Sequence, residues 1–564
     1  MKSENSQYDA IVIGSGISGG WAAKELSEKG LKTLVLERGE DVQHVKDYSS
    51  AMTPPWGFDG RGKVDADTLK DYPIQSKVYA FNEGTKPFWV KDSEHPYTTP
   101  DNKPFHWFRG YQVGGRSITW GRQCSRWAEI DFEANAKDGH GIDWPIRYAD
   151  IAPWYDYVER FIGVSGKKEG LAQLPDGQFL APMQMNDVEL HVKKAMAKKW
   201  KDRVLTIGRV ANLSEAHKGR GPCQYRNLCA RGCPFSAYFS SLSSTLPAAH
   251  ATGNLTLRAN SVVTRITYNE HKNRVSGVEV LDTSTGALHS YTAKLIFVCA
   301  STLNSTWLLL NSANSSFPNG LANGSGELGK NLIDQHYRVG ASGQIKGFDK
   351  SYYYGSRPTG IIVPRFRNLE KQETDYLRGF NYQGWASRAD WRRGQSQKGI
   401  GADFKDALRT PGDWTMEFLS FGESLPNPNN HVRLNSDKKD VHGLSTLYIS
   451  AEFGENEKKM RKDMRQSAVD MLEAAGAVNI KPYDHGHAYI PGDCIHEMGT
   501  ARMGKDKTTS VLNEWNQSHD IPNLFVTDGA SMASGSCKNP SVTYMALTAR
   551  AVDFAVDELK RLNI

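Results

Sequence analysis

The segment between residues 8 and 37 limits the possible folds of this 564-residue chain more than any other feature. A short apolar run, YDAIVI, leads into Gly14, Gly16 and Gly19, and a helical stretch then leads to a second apolar run that ends at Glu37. β-Branched runs of this length fill buried parallel strands. The glycines allow a tight turn, a close backbone approach and close helix packing. The segment therefore predicts a strand–turn–helix–strand unit of an α/β fold.

This unit also predicts a site for a dinucleotide. The N-terminus of its helix, near Ser18, presents unpaired N–H groups and the positive end of the helix dipole to a pyrophosphate. Glu37 lies 23 residues after Gly14, the separation at which a carboxylate accepts the ribose hydroxyls. The glycines by themselves do not distinguish NAD from FAD.

Composition excludes several classes of protein. Lysine and arginine exceed aspartate and glutamate by 69 − 63 = 6, without a long basic run, so no nucleic-acid partner is expected. Seven cysteines are too few for a disulfide scaffold. We expect no direct membrane span, since no stretch of 18 residues is apolar, and no export signal of its own, since MKSENSQ lacks an apolar region.

The remaining pattern predicts two domains. Residues 254–300 are strand-like, 541–562 predict an amphipathic helix, and 340–485 are rich in aromatics with little helical periodicity before 456–475. We expect a Rossmann-like α/β domain built from discontinuous segments, with an inserted α+β substrate domain that contains an antiparallel sheet. The first domain is assigned residues 1–45, 101–130, 204–335 and 486–564, and the second, with its excursions, residues 46–100, 131–203 and 336–485.

Four further segments resemble the glucose–methanol–choline (GMC) family of FAD-dependent oxidoreductases. They are VGGRSITW at 113–120, NLID at 331–334, HEMGT at 496–500, and NLFVTDG at 523–529 leading to NPSVT at 539–543. With the first segment they follow the family's order from residue 8 to 560, so the resemblance covers most of the chain. It implies that FAD is held by the glycine unit and by Gly114, Gly115, Ser117, Trp120, Val263, Ala300, Asp528, Gly529, Pro540 and Ser541.

The resemblance also implies that the FAD is non-covalent. Some members of the family attach FAD through a histidine in the loop after the Gly-Gly-x-Ser segment. The corresponding residue in this chain is Thr119, which offers no imidazole for that bond.

His496 and Asn539 match the His and His-or-Asn pair that the family places in front of the flavin. Oxidation of a carbinol needs a base for the O–H proton, and a neutral imidazole with a pKa of about 6.5 is suited to that task. Asn539 cannot titrate and would hold the hydroxyl by a hydrogen bond. It also precedes Pro540 as a helix N-cap, and the dipole of that helix would stabilise the charge of a reduced flavin.

Three of the seven cysteines, Cys223, Cys229 and Cys233, fall within the loop 221–234. The cations expected to surround these thiols and lower their pKa values are Lys218, Arg220, Arg226 and Arg231. No fourth cysteine is near, so the residues leave open a zinc site completed by His217, an iron–sulfur cluster, or packed or disulfide-bonded thiols. The spacing resembles that of iron–sulfur-containing sugar dehydrogenases in the GMC group, which implies a [3Fe–4S] cluster.

Such a cluster would pass the flavin's electrons singly to a protein acceptor, which favours a dehydrogenase. The segment AYFSSLSSTLPAA looks most like glucoside 3-dehydrogenases, which implies oxidation of a ring C3 hydroxyl to a 3-keto sugar. Glucose C1 and gluconate or polyol dehydrogenases, a sugar oxidase that uses dioxygen, a lyase and a non-catalytic flavoprotein are the alternatives. The implied partners are a small subunit, a cytochrome c that accepts electrons, or both. The export signal of the small subunit would carry the chain from the cytoplasm to the periplasm.

Aromatic residues of the inserted block are candidates for the sugar-binding surface, because aromatic faces beside polar groups suit sugar C–H and O–H groups. Packing within long loops is the alternative for each of them. These residues are Tyr352–Tyr354, Tyr382, Trp385, Trp391 and Trp414.

Overall fold

The computed structural model describes residues 7–352, 355–390, 393–394, 397–485 and 490–564, so Tyr353, Tyr354 and Trp391 lie outside it. The strands are β1 (Gln7–Ile13), β2 (Thr33–Leu36), β3 (Val164–Ser165), β4 (Phe179–Leu180), β5 (Thr206–Ile207), β6 (Leu255–Arg258), β7 (Ser261–Asn269), β8 (Arg274–Asp282), β9 (Leu288–Val298), β10 (His336–Ile345), β11 (Ile361–Val363), β12 (Phe380–Arg388), β13 (Trp414–Gly422), β14 (His431–Lys439), β15 (Ser445–Ser450), β16 (Val478–Asp484) and β17 (Leu524–Val526). The α-helices are α1 (Ile17–Glu28), α2 (Ala66–Asp71), α3 (Glu129–Asp138), α4 (Tyr148–Ile162), α5 (Asp187–Lys199), α6 (Leu246–Ala251), α7 (Thr302–Asn311), α8 (Gly401–Arg409), α9 (Glu455–Ala474) and α10 (Ser541–Lys560).

The first sheet contains the predicted dinucleotide unit. Its strands follow the order β6-β2-β1-β9-β8-β7, and β17 pairs with the end of β9. The strands β6, β2, β1, β9 and β17 pair in parallel, whereas β7, β8 and the beginning of β9 form an antiparallel meander. β1 is buried on both faces because its alternating side chains enter two cores, Ala10 and Val12 one of them and Ile11 and Ile13 the other.

The second sheet is antiparallel, with the order β16-β10-β13-β12-β11-β5. Helices α5 and α9 cover one face, where Met416 and Phe418 of β13 share a core with Met464 of α9. Because successive strand residues point to opposite faces, the intervening Glu417 of β13 and Gln383 of β12 line a large cavity on the other face.

This alternation also determines which of the candidate aromatic residues can face the cavity. Tyr382 and Trp414 are 0% and 2% exposed and pack under the helices. The prediction that they could contact a sugar is therefore wrong, because both point to the covered face of the sheet. Tyr352 and Trp385 do line the cavity.

The predicted fold class is confirmed, since a mostly parallel sheet with helices accompanies an antiparallel sheet covered by helices on one face. The strand-like residues 254–300 form β6 to β9, and the predicted C-terminal helix is α10. The prediction that Asn539 is the N-cap of α10 is wrong, because Pro540 takes that position and the side-chain oxygen of Asn539 accepts from Gln383. The division of the whole chain into two domains at the predicted boundaries stays a prediction. Within the described residues, no helix has both the length and the apolar character that crossing a bilayer requires.

The three glycines after β1 have different surroundings. Gly14 has a φ of 97°, which a glycine adopts without strain. A Cβ atom on Gly19 would lie 1.9 Å from the carbonyl oxygen of Gly14, whereas a Cβ on Gly16 would meet no atom within 4 Å. Gly19 therefore permits the close packing of α1 on β1, and Gly16 borders open space in front of the helix.

We expect Gly19→Ala to lower the free energy of unfolding of the FAD-free protein by about 1–3 kcal/mol, because backbone atoms of Gly14 would have to move. Gly16→Ala is the matched control and should cost less than about 1 kcal/mol in the same protein. Chemical denaturation followed by tryptophan fluorescence measures both values. Equal losses in the two variants would show that the contact with Gly14 is not what requires glycine at position 19.

Candidate active site

A cavity of about 1870 Å³ lies between the first sheet and the open face of the second. Its inner wall includes residues at the carboxyl ends of β1, β2 and β9, the edge at which parallel sheets bind ligands. Sites for small molecules usually measure about 300–1,000 Å³. The cavity therefore has room for a dinucleotide and a second molecule.

Most of the predicted cofactor residues are brought together on this cavity wall. Gly19 and Gly114 do not line the cavity: Gly19 packs against Gly14, and Gly114 donates its N–H to Ser15 Oγ at 2.9 Å. The two therefore support the glycine loops from behind. The predicted residues that line the cavity are Gly14, Gly16, Ser18, Glu37, Gly115, Ser117, Trp120, Val263, Ala300, His496, Asp528, Gly529, Asn539, Pro540 and Ser541.

Glu37 ties the end of β2 to the glycine turn. Its carboxylate accepts hydrogen bonds from the N–H and the hydroxyl of Ser15, at 3.1 and 2.6 Å, and from the N–H of Gly39 at 3.1 Å. Burial raises the pKa of Glu37 against the lowering effect of these bonds. Because Ser15 also accepts the N–H of Gly114, one serine joins Glu37 to both glycine loops.

The cavity wall has an open position beside Gly16 and two unpaired polar atoms, and both features fit a polar cofactor. The open position beside Gly16 lies in front of the N-terminus of α1. Glu497 Oε1 and the Tyr544 hydroxyl are buried without a hydrogen-bond partner in the described structure, and both residues line the cavity. Buried polar atoms are normally paired, so these two are available to a bound molecule.

His496 and Asn539 are in direct contact. Asn539 Nδ2 lies 3.2 Å from His496 Nε2, and Asn539 Oδ1 accepts from Gln383 Nε2 at 2.6 Å. The other ring nitrogen, Nδ1, lies 2.9 Å from Gln335 Oε1. Burial, and after it the positive charge of Arg116, lowers the pKa of His496 to about 3. The imidazole is therefore neutral at physiological pH, as a general base must be.

The loop that carries His496 is held by Asp334. The Asp334 carboxylate accepts the N–H groups of Gly492, Cys494 and His496 at 2.8, 3.1 and 3.0 Å. Ile495, next to the histidine, has a φ of 66°, which is unfavourable for a β-branched residue. Burial raises the pKa of Asp334 to about 8. The surrounding hydrogen bonds thus hold a strained backbone that fixes the position of the imidazole.

Sequence reasoning missed Gln335 and Gln383, the two amides that contact His496 and Asn539, the predicted catalytic pair. Gln335 directly follows the NLID segment, so its position beside a recognised motif was an available signal. Gln383 lies on β12 within no local motif, and only the pairing of the second sheet brings it to Asn539.

The cysteine loop borders the cavity through Tyr225 and Asn227 rather than through its thiols. Cys223, Cys229 and Cys233 lie near enough to one another for their charges to interact. Among the residues that the structure describes, however, no group of three His, Cys, Asp or Glu side chains is arranged to hold a metal ion. The [3Fe–4S] cluster that the cysteine spacing implies therefore stays a prediction.

The expectation that nearby cations lower the thiol pKa values is wrong for Cys223 and Cys233. Burial raises the pKa of Cys223 to about 11 and also raises that of Cys233. The charge of Arg226 does act to lower the pKa of Cys233, but burial outweighs it. The hydrogen bonds of the two guanidinium groups go to backbone carbonyls, that of Thr53 for Arg231 and that of Ala51 for Arg226. These bonds attach the cysteine loop to the segment at 50–53.

Comparison with known proteins agrees with this geometry. The chain is 29% identical to 2-methyl-1,2-propanediol dehydrogenase from Mycolicibacterium austroafricanum, over 98% of this chain and 96% of that protein. It is 26% identical to the fructose dehydrogenase large subunit of Gluconobacter japonicus, over the full length of both. The solved structure of formate oxidase from Aspergillus oryzae superimposes with a TM-score of 0.63 at 15% identity, covering 99% of this chain and 100% of that one.

Two matches to a described protein family decide which family the chain belongs to. Residues 8–337 and 426–548 match the two parts of the family described as GMC oxidoreductase. These matches cover most of the chain and include the glycine unit, Asp334, His496 and Asn539. The protein therefore belongs to the GMC oxidoreductase family and is an FAD-dependent oxidoreductase.

Proposed function

We propose that the protein is a dehydrogenase that oxidises a secondary hydroxyl of a sugar or glycoside, with the ring C3 hydroxyl as the preferred position. The observation that carries the proposal is the contact of His496 Nε2 with the Asn539 amide on the wall of a cavity with room for a second molecule. The names of the two relatives, a diol dehydrogenase and a fructose dehydrogenase subunit, support the class of reaction.

The chain's own residues would move the proton and orient the substrate. His496, neutral and with its Nε2 beside Asn539, would accept the hydroxyl proton. The Asn539 amide would donate to the hydroxyl oxygen and so direct the C–H bond, and Gln383 restrains the rotation of that amide. Bound FAD would supply the hydride acceptor.

The outer part of the cavity supports a sugar as the substrate. Trp385 is 40% exposed and Tyr352 is 73% exposed, and both line the cavity. On the same cavity wall, Glu417, which pairs with Trp385 across the sheet, accepts a hydrogen bond from the Tyr483 hydroxyl at 2.9 Å. Aromatic faces beside such hydrogen-bonding groups suit the two kinds of surface that a sugar presents. The preference for C3 comes from the resemblance of AYFSSLSSTLPAA to glucoside 3-dehydrogenases.

Anaerobic addition of the correct glucoside or sugar should bleach the flavin, and a dye acceptor should restore its colour. Product analysis should identify a 3-keto sugar. Oxidation of glucose C1, or of gluconate or a polyol instead, would support the alternative dehydrogenases. Stoichiometric peroxide in air without a dye would support an oxidase, and absence of bleaching by every sugar and polyol would contradict the proposed function.

We expect His496→Ala to slow flavin reduction by the substrate by about 10²–10⁴-fold, because it removes the base. Since the pKa of His496 is about 3, the parental rate should stay nearly constant as the pH falls from 8 to 5, and protonation of the base at still lower pH should reduce it. Stopped-flow absorbance measures both effects. His431→Ala, on β14 and outside the cavity wall, is the control. Reduction of His496→Ala at the parental rate would place the base elsewhere.

The iron–sulfur cluster and its acceptor also remain proposals. The spacing of the three cysteines and the proximity of their thiols support a cluster. A small subunit is supported as a partner by the relative from Gluconobacter japonicus, which is itself a large subunit.

Cofactor analysis of the purified protein tests the non-covalent binding of FAD and the presence of the [3Fe–4S] cluster. Acid precipitation should release all of the FAD, because Thr119 provides no histidyl attachment. About three irons per chain are expected, with a paramagnetic signal that Cys229→Ser removes. Flavin that stays on the precipitated protein would contradict non-covalent binding. One zinc without iron, or no metal at all, would contradict the [3Fe–4S] assignment.

A further inference from the structure

We propose that Gln335 is a positioning residue that fixes the tautomer of His496 and, through it, the direction of every hydrogen bond in the catalytic pair. The proposal rests on the proposed role of His496 as the base. It is carried by a chain of contacts that begins at three backbone carbonyls and ends at Gln383.

The orientation of the Gln335 amide follows from its surroundings. Gln335 Nε2 lies 3.2, 2.8 and 2.8 Å from the carbonyl oxygens of Gly535, Ser536 and Lys538. Carbonyl oxygens only accept hydrogen bonds, so the atom that faces them has to be the NH₂ group. The residue is 1% exposed, so water does not compete for these bonds. The opposite atom, Oε1, is therefore directed at His496.

An amide oxygen directed at an imidazole determines which nitrogen carries the proton. Gln335 Oε1 lies 2.9 Å from His496 Nδ1 and can only accept, so Nδ1 carries the hydrogen. The Cys494 Sγ atom lies 3.3 Å from Nδ1 and 3.8 Å from Oε1. Burial raises the pKa of the Cys494 thiol well above its ordinary value, so the thiol keeps its own hydrogen. The opposite tautomer would place two lone pairs against each other at 2.9 Å.

The tautomer that Gln335 sets also determines the direction of the hydrogen bonds at Asn539. With a hydrogen on Nδ1, the Nε2 atom of His496 has the lone pair that a base needs, and before substrate binds this lone pair faces the Asn539 amide. Asn539 therefore turns its NH₂ group toward Nε2, and its Oδ1 accepts from Gln383. Gln335 also bonds the carbonyl of Lys538, the residue before Asn539, so one side chain positions both members of the pair.

The same loop has other anchors, which allow a matched control. Asn381 Nδ2 donates to the carbonyl of Cys537 at 2.5 Å, and no hydrogen bond joins it to His496 within the described residues. Lys538 forms a buried ion pair with Asp131. Asn381→Ala therefore weakens the attachment of the loop without changing the acceptor at His496 Nδ1.

The test compares Gln335→Met, Gln335→Glu and Asn381→Ala in the FAD-containing protein. Glutamate, protonated because its second oxygen faces the three carbonyls, donates its O–H to them and keeps an oxygen acceptor for Nδ1–H, and methionine offers none. We expect flavin reduction by the substrate to fall on the order of 10–100-fold in Gln335→Met and to stay within about threefold of the parent in the other two. With the histidine rings labelled with ¹⁵N, the Nδ1–H signal of His496, assigned by its loss in His496→Ala, should persist in Gln335→Glu and Asn381→Ala and disappear in Gln335→Met.

Three results would overturn the inference. They are an unchanged Nδ1–H signal and rate in Gln335→Met, no recovery in Gln335→Glu, and an equal loss in Asn381→Ala, which would assign the effect to loop anchoring. If Gln335→Met does not fold, Gln335→Asn replaces it, because the shorter amide cannot reach both the carbonyls and the ring. A parental rate in His496→Ala would instead defeat the proposed base, so the two failures are distinguishable.

Discussion

The hydrogen bonds from one backbone loop to the buried carboxylate of Asp334 are the constraint on which the site depends. Three N–H groups of residues 492–496 converge on that carboxylate, including the one of His496 itself. They hold Ile495 in a left-handed conformation that a β-branched residue avoids when free. Gln335, the next residue in the chain, contacts the imidazole. Backbone position and ring orientation are thus controlled from one junction, where the first sheet's segments lead into β10.

The two sheets contribute different chemistry to one cavity. The parallel sheet presents the carboxyl ends of its strands, where Glu37 and the glycine loops provide backbone N–H groups and a carboxylate. The antiparallel sheet presents alternate side chains of its uncovered face, including Gln383 and Glu417. We therefore propose that the glycine loops and Glu37 at the edge of one sheet bind the cofactor, and that side chains of the other sheet recognise the substrate.

The cysteine loop shows that the sequence alone does not predict how nearby charges act on the pKa values of the thiols. Arg226 and Arg231 are close to the thiols along the chain, but their guanidinium groups bind backbone carbonyls of the segment at 50–53. Burial then dominates, and the pKa of Cys223 rises. The cluster hypothesis rests on the spacing of the cysteines. Within the described residues, no group of three His, Cys, Asp or Glu side chains arranged to hold a metal ion supports it further.

The sequence by itself determined the features that depend on local backbone geometry. The glycine unit, the strand before Glu37 and the C-terminal helix were predictable because tight turns, buried strands and helical periodicity leave patterns within a few residues. Tertiary structure decided what depends on residues far apart in the chain. Only the packed fold shows that Tyr382 is covered by helices, that Gln383 meets Asn539, and that Gln335 lies between His496 and the loop at 535–538, because hydrogen-bond partners and sheet faces are set by long-range pairing.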